Sequence, residues 1–379
     1  MITLLHTADV HLGARFEGFG AAAGECQAAH LRAFDRITDL AEQRADVLIV
    51  AGDLFESYRP EPQLAERVAH RFRRLAENGK AVVLIPGTHD SYAYSDCVYK
   101  THNLGGACIL AGREFVPPTE WVVRDSRERV IFYGCAGVAP GSSPQEAERI
   151  IRSLRRVEGH GHHVALIHGS VMDRRGPMSR AEDMPLSESQ LSEFGMDYVA
   201  LGHHHSWKVF EDGRRAVACY PGSPVAKSFR ESGERSVALV RIENGLASVE
   251  RIAVNELSVV ERNLDVSVTR SAEDVAAEIK RLGHEKLLAR IHLKGTPNCV
   301  LNPEWLLAQA TPGFAFLDLV DETEVADTDT LLAWEKELTI RGIFVRKMRE
   351  RIRNAEGERR RLLEDALKTG ALALARNRG

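Results

Sequence analysis

Val47-Leu-Ile-Val-Ala-Gly-Asp-Leu-Phe-Glu56 is an apolar run that stops at Gly52 and delivers Asp53 to the end of an extended segment. Aliphatic residues closed by a Gly-Asp turn read as a strand buried on both faces, the pattern of a parallel strand covered by helices above and below. In open α/β sheets, sites form in the crevice beyond the carboxyl ends of such strands. Asp53 is therefore a site candidate. Four further stretches end the same way. Ile2–Thr7 runs into Asp9 and His11, Ala81–Ile85 into Thr88, His89 and Asp90, Val164–Ile167 into His168, and Tyr198–Leu201 into His203, His204 and His205.

Helical spacing separates the first strands. Leu31, Phe34, Ile37, Leu40 and Ala41 predict a helix over 28–43, which makes a β-α-β unit with the strand before Asp53. A second helix runs from Pro62 to Asn78-Gly79. Weaker strands are expected near Trp121 to Arg124 and Arg129 to Tyr133, then a helix from Pro144 to about Val157. Ser236–Ile242 and Ala247–Ala253 read as an antiparallel pair around the Asn244-Gly245 turn.

The strand ends carry the chemistry. Asp9 and His11, two apart in an extended segment, point to one side and can offer an oxygen and a nitrogen to one metal. His203 and His205 share a side by the same alternation, leaving His204 as a bystander. A histidine beside an aspartate, as at His89-Asp90, can donate a proton to a phosphate or contact it, its orientation set by the carboxylate. His160, His162 and His163 fall in a Gly-rich loop and are expected in solvent. Several His and Asp without Cys suit a pair of cations such as Mn, Fe or Zn. Two such ions about 3.5–4 Å apart can hold a bridging hydroxide and clamp a phosphate ester during in-line attack.

The chain has 379 residues and 42.0 kDa, with 44% hydrophobic and 27% charged residues, enough for two or three globular domains. No run of 18 apolar residues occurs and the first residues enter a strand directly, so a cytoplasmic protein without membrane span or signal peptide is expected. Its six scattered cysteines include no Cys-x-x-Cys pair, which argues against disulfides or structural zinc. From Arg341 to Gly379 there are 12 Lys+Arg and 5 Asp+Glu, a local charge of +7 that leaves −11 on the remainder. Such a basic arm suits an acidic partner or nucleic acid.

After Asn255 the pattern becomes strand, helix, strand, helix, strand: Leu264–Thr269, Ala272–Leu282, Leu287–Leu293, Pro303–Ala310 and Phe314–Leu319. Acidic Asp321 to Asp329 reads as a linker. Leu331, Trp334, Leu338, Val345, Met348 and Ile352 then follow a three-four spacing, with Arg341 in the missing place, and a second basic helix runs from about Glu358 to Ala373. Two terminal helices not needed by a sheet suit a docking hairpin for a partner coiled coil.

Asp-x-His, Gly-Asp, Gly-x-His-Asp, His-Gly and Gly-His-x-His, in that order, resemble the calcineurin-like metallophosphoesterases. More narrowly, His6-Thr-Ala-Asp-Val-His-Leu-Gly13, Gly52-Asp-Leu-Phe55, Arg59-Pro and Ala200-Leu-Gly-His-His-His205 resemble the SbcD-type DNA-break-repair nucleases and their YhaO-type relatives. The resemblance implies a four-layer sandwich of two mixed β-sheets flanked by helices over residues 1–255, an α/β capping domain at 256–322 and partner-binding helices at 323–379. It implies that Asp9, His11 and His205 hold one divalent ion, manganese first, that Asp53 bridges, and that His168 and His203 hold a second. His89 would contact or protonate the scissile phosphate, with Asp90 orienting it. The family usually has Asn where Thr88 stands, so the second ion is expected to bind weakly. The implied partners are DNA, an SMC-like coiled-coil ATPase of SbcC or YhaN type held by the C-terminal helices, and a second copy of the chain. No Gly-x-x-x-x-Gly-Lys-Ser/Thr motif occurs, so any ATP is bound by another chain. The favoured reading is a metal-dependent DNA nuclease. Its alternatives are a phosphoesterase on nucleotides or phosphoproteins, and a non-catalytic DNA-binding subunit with a degenerate site.

Overall fold

The computed structural model describes residues 1–115, 117–123, 127–172, 183–213, 215–297, 299, 301–323 and 334–376. They form two compact units, Met1–Gly18 with Ala23–Leu257, and Phe19–Ala22 with Ser258–Gly379.

The first unit begins β1 (Ile2–Thr7), α1 (Ala23–Arg44), β2 (Val47–Ala51), α2 (Pro62–Glu77), β3 (Ala81–Ile85), α3 (Val98–Thr101) and β4 (Cys108–Ile109). It continues with β5 (Thr119–Val122), β6 (Arg129–Tyr133), α4 (Pro144–Ser153), β7 (His162–His168), β8 (Val171–Met172), β9 (Leu186–Ser187), α5 (Glu188–Glu193) and β10 (Tyr198–Gly202). Strands β11 (Lys208–Asp212), β12 (Arg215–Tyr220), β13 (Ser236–Glu243) and β14 (Leu246–Ala253) complete it.

Two six-stranded mixed sheets result, ordered β14-β13-β1-β2-β3-β4 and β11-β12-β10-β7-β6-β5. Strands β1 to β4 are parallel in the first, and β12, β10, β7 and β6 in the second. Each sheet carries antiparallel strands at its margins. Every residue of β2 is buried, as its unbroken apolar run requires of a strand between parallel neighbours.

Alternation sends Val47, Ile49 and Ala51 inward to meet Val164, Leu166, Tyr198 and Ala200 of the other sheet. Leu48 and Val50 face outward onto Phe34 and Ile37 of α1 and Val68 and Phe72 of α2. Ala165, Ile167, Val199 and Leu201 face α4 and α5 through Ile150, Ile151 and Leu191. Helix, sheet, sheet and helix are thus stacked in four layers.

Two local readings change. Helix α1 starts at Ala23, because its first turns bury Cys26 and Ala29, residues too small to register as periodicity. His162 and His163 lie buried at the start of β7 rather than in solvent. The His163 amide donates to Asp197 at 2.8 Å, and its ring pairs with the Tyr133 hydroxyl at 2.7 Å.

The second unit contains β15 (Ser258–Asp265), α6 (Ala272–Arg281), β16 (Leu287–Lys294), α7 (Pro303–Ala310) and β17 (Phe316–Asp321), the three strands parallel. Val275, Ile279 and Leu306 of the helices pack on Ala289, Ile291, Leu293 and Leu317. Strand β15 ends where a strand was expected to begin. Asp265 there accepts from the Ser267 amide at 2.9 Å and turns the chain, although the apolar alternation runs on.

Helices α8 (Ile340–Arg353) and α9 (Gly357–Arg376) follow. Val345, Met348, Leu367 and Ala371 pack together with Trp334, Phe344, Ile352 and Leu363, so most of the three-four seam closes a hairpin on itself. Leu338, 97% exposed, stands outside it. Leu331 and positions 324–329 of the expected linker lie outside the described residues.

Candidate metal centre

The carboxyl ends of β1, β2 and β3 in one sheet and of β7 and β10 in the other lead to one rim. Unusual backbone aims the side chains there. Asp9, His11, Asp53 and His203 all take positive φ, at 50°, 53°, 48° and 104°. L-residues adopt that region at a cost of about 1–3 kcal/mol, and it concentrates at functional sites. Close approach needs glycine too: a Cβ on Gly87 would lie 2.1 Å from Asp53 Oδ1, and one on Gly52 (φ 88°) 2.3 Å from His168 Nδ1.

Two groups of ligand atoms converge, each within 4.8 Å of one another: Asp9, His11 and His205, and Asp9, Asp53 and His168. The hydrogen bonds around them fix which ring atoms are free. His168 Nδ1 donates to the Ala51 carbonyl at 3.0 Å, so Nε2 is the ring atom left for a cation. That Nε2 is buried, makes no hydrogen bond, and stands 3.4 Å from Asp53 Oδ2.

His205 Nδ1 donates to Glu231 at 2.8 Å. His11 Nδ1 meets Glu56 Oε2 at 3.0 Å in a bent ionic contact rather than an aligned hydrogen bond. The two Nε2 atoms then face each other across 3.2 Å. Two imidazole nitrogens at that spacing share either a proton or a cation. Two ligand atoms about 2.1 Å from one cation are separated by roughly 3.0–3.4 Å, so these spacings fit divalent ions. The donor set, imidazole and carboxylate without thiolate, suits manganese, iron or zinc.

The electrostatics agree. Burial alone would raise the Asp53 carboxyl, but the imidazoles of His168, His11 and His89 outweigh it and hold the group below the usual carboxylate range. Burial likewise opposes a charged His168, yet Asp53 and Asp9 lift it to about 10. Both shifts express a demand for positive charge among buried carboxylates, which divalent cations would meet.

The second histidine pair and the β3 loop surround these groups. His203 donates its amide to both Asp9 oxygens at 3.0 Å; its ring lies 5.3 Å from that of His168 and its Nε2 3.6 Å from Asp183. Thr88 donates its hydroxyl to Asp53 Oδ2 at 3.4 Å. The His89 amide donates to Asp53 Oδ1 at 2.8 Å, and its ring Nδ1 to the Glu56 carbonyl at 3.2 Å. His204 is exposed, its ring edge-on to those of His203 and Tyr220.

Asp90, expected to orient the His89 ring, does not hold it. Its carboxylate turns the other way, into the core, where the Phe55 and Gly87 amides donate to it at 3.1 and 2.7 Å and the Tyr99 hydroxyl at 2.5 Å. It braces the loops instead.

Sequence reasoning missed Glu56, Glu231 and Lys227. Lys227 Nζ reaches Glu56 Oε2 at 3.1 Å, while the Lys227 amide donates to Glu231 at 2.8 Å. Burial would raise Glu56, but His11 and then Lys227 bring it down to about 2. The only available signal was that Glu56 immediately follows Gly52-Asp-Leu-Phe55.

Comparison with known proteins follows the same lines. A profile described as the calcineurin-like phosphoesterase superfamily domain matches residues 2–245. "Uncharacterized metallophosphoesterase YhaO" of Bacillus subtilis is 27% identical over 345 residues, covering 86% of this chain and 79% of that protein. "DNA double-strand break repair protein Mre11" of Methanopyrus kandleri is 28% identical over 304 residues, 76% of this chain and 64% of that protein. The SbcD component of the SbcCD nuclease of Bacillus subtilis is 27% identical over 278 residues, 64% of this chain and 66% of that protein. The chain thus spans slightly less than two thirds of the length of these last two relatives.

Proposed function

Because this chain belongs to the calcineurin-like phosphoesterase superfamily, we propose that it is a metal-dependent phosphodiesterase that cleaves DNA. The observation that carries this reading is the 3.2 Å opposition of His11 Nε2 and His205 Nε2 beside buried Asp9, Asp53 and His168. Asp9, His11 and His205 would hold one divalent ion, Asp53 would lie between, and His168 and His203 would hold the second, manganese being the metal proposed. Two such cations lower the pKa of water and offset charge on the phosphate. Asp9 is oriented by the His203 amide, and Asp53 by the His89 amide. His89, its Nδ1 tied to a carbonyl, presents Nε2 to the leaving oxygen as a proton donor. Thr88 spends its hydroxyl on Asp53, which favours a second ion bound more weakly than the first.

DNA as substrate rests on the relatives named as a nuclease and as a break-repair protein. The domain division we propose is 1–255 for the phosphoesterase, 256–322 for a DNA-gripping cap, and 323–379 for helices that dock a coiled-coil SMC-like ATPase. Exposed Leu338, Ile340, Ile343 and Leu362 and the +7 charge from Arg341 onward support the last role. Dimerisation and a cytoplasmic setting complete the proposal; among the described residues no helix is long and apolar enough to cross a membrane.

The test is cleavage of linear DNA by the purified chain with Mn²⁺. Activity that disappears in Asp53→Asn and His89→Ala supports the nuclease, whereas turnover confined to nucleotide or phosphoprotein monoesters sinks it.

A further inference from the structure

Glu56 stands among three side chains that belong to different parts of the rim. Its Oε2 lies 3.0 Å from His11 Nδ1 and 3.1 Å from Lys227 Nζ, its Oε1 3.6 Å from His89 Nδ1. Its main-chain carbonyl accepts from that same His89 nitrogen at 3.2 Å. The His11 and His89 rings meet edge-on with centroids 4.6 Å apart. The trio His11, Glu56 and His89 has the spacing of a further metal site, but the Lys227 ammonium already occupies the carboxylate. A different role is needed.

We infer that Glu56 is a positioning residue for both histidines. Its Oε2, 3.0 Å from His11 Nδ1, favours the ring form with the proton on that nitrogen, which leaves Nε2 its lone pair for a cation; carboxylate partners of metal-binding histidines act in this way. Its ties to His11 and Lys227 also hold in place the carbonyl that keeps a proton on His89 Nδ1. Nε2 is then the atom through which His89 exchanges protons. Asp90 is unavailable for this work, being engaged with Phe55, Gly87 and Tyr99.

The inference rests on the phosphodiesterase reading above. A water oxygen forms the new P–O bond in line, its proton passing to solvent, as the old P–O bond breaks. The old bond's electron pair goes to the ester oxygen, which takes the proton of His89 Nε2 and leaves a neutral imidazole, while Glu56 gains and loses nothing. An alkoxide leaving group needs that proton, whereas p-nitrophenolate departs without it.

The experiment compares two diesters of thymidine 5′-phosphate, one with methanol and one with p-nitrophenol, at saturating Mn²⁺. It is paired with Mn²⁺ titration of the substrate-free protein by calorimetry. In Glu56→Ala, kcat on the methyl ester should fall at least about tenfold further than on the p-nitrophenyl ester, since general-acid catalysis is worth about 10²–10⁴. Mn²⁺ affinity should weaken by about 10–100-fold. Glu56→Gln, whose amide oxygen can still face Nδ1, should recover most of both losses, which a change in fold would not.

Equal falls on the two esters overturn the His89 role, and unchanged Mn²⁺ affinity overturns the His11 role. A wild-type chain that binds Mn²⁺ yet turns over neither ester overturns the phosphodiesterase reading instead, and the titration alone then judges Glu56.

Discussion

Single residues decide this site by where their atoms cannot go. A methyl group on Gly87 would collide with Asp53 Oδ1 and also stand 2.4 Å from the Asp53 amide nitrogen, so neither the side chain nor the backbone can yield cheaply. Gly87→Ala should therefore weaken Mn²⁺ binding at least about tenfold and cost about 1–3 kcal/mol of stability, read by calorimetric titration and by urea unfolding. Thr88→Asn is expected to act in the other direction. An amide oxygen would replace a hydroxyl now directed at Asp53, tightening the second Mn²⁺ by about tenfold, or about 1.4 kcal/mol. Metal analysis after dialysis would contradict this if wild type already held two ions firmly and the variant did not differ. That Asp9, His11, Asp53 and His168 would converge was legible from position alone, since each follows an apolar run. Glu56 and Asp90 were not, because which way a loop carboxylate turns depends on partners more than thirty residues away, as Phe55 is for Asp90.

Elements were legible in proportion to their burial on two faces. β2, β3 and β10 are continuous apolar runs, as is the Val164–Ile167 centre of β7, and all fell within two residues of expectation. β15, an edge strand with exposed charges, slid by several residues because only a side-chain turn at Asp265 ends it. One tie between elements has a pH signature. His6 of β1, fully buried, pairs its Nδ1 with the Tyr198 hydroxyl of β10 at 2.9 Å, and burial lowers its pKa to about 3 from 6.5. Above pH 6.5 the ring is neutral whether the chain is folded or not, so it adds no pH dependence. Below 6.5 the unfolded chain binds a proton that the native state refuses, and stability falls by up to about 1.4 kcal/mol per pH unit until the folded ring titrates. The stability gap between wild type and His6→Gln, measured by urea unfolding, should accordingly narrow from pH 7 to pH 5. A constant gap would refute the assignment.

At the level of the whole molecule, the four-layer unit was anticipated by the family resemblance that the ordered strand-end motifs carry, since five strand ends alone do not tell one sheet from two. The C-terminal helices were harder to read. Their apolar spacing described the inside of a hairpin, not the outer face offered to a partner, and the same three-four repeat serves either use. Among the described residues of the two helices, Ile340, Ile343 and Leu362 stay outside, at 76%, 48% and 68% exposure. Replacing Ile343 and Leu362 with Glu should abolish co-purification with a coiled-coil ATPase while Mn²⁺-dependent phosphodiesterase activity persists. Joint loss of both would place these helices in the fold of the whole chain instead.

The atoms that could hold a cation come from both sheets: Asp9, His11 and Asp53 from one, His168 and His205 from the other. A cation seated among them would thus be a rivet through two layers otherwise joined by apolar packing and a few hydrogen bonds, such as His6 to Tyr198 and His168 to Ala51. Chelation with EDTA should lower the melting temperature by an amount that grows with the logarithm of the Mn²⁺ concentration withdrawn. Amide exchange at the tips of β1 and β10 should quicken in step, as two plates loosen when the pin is pulled.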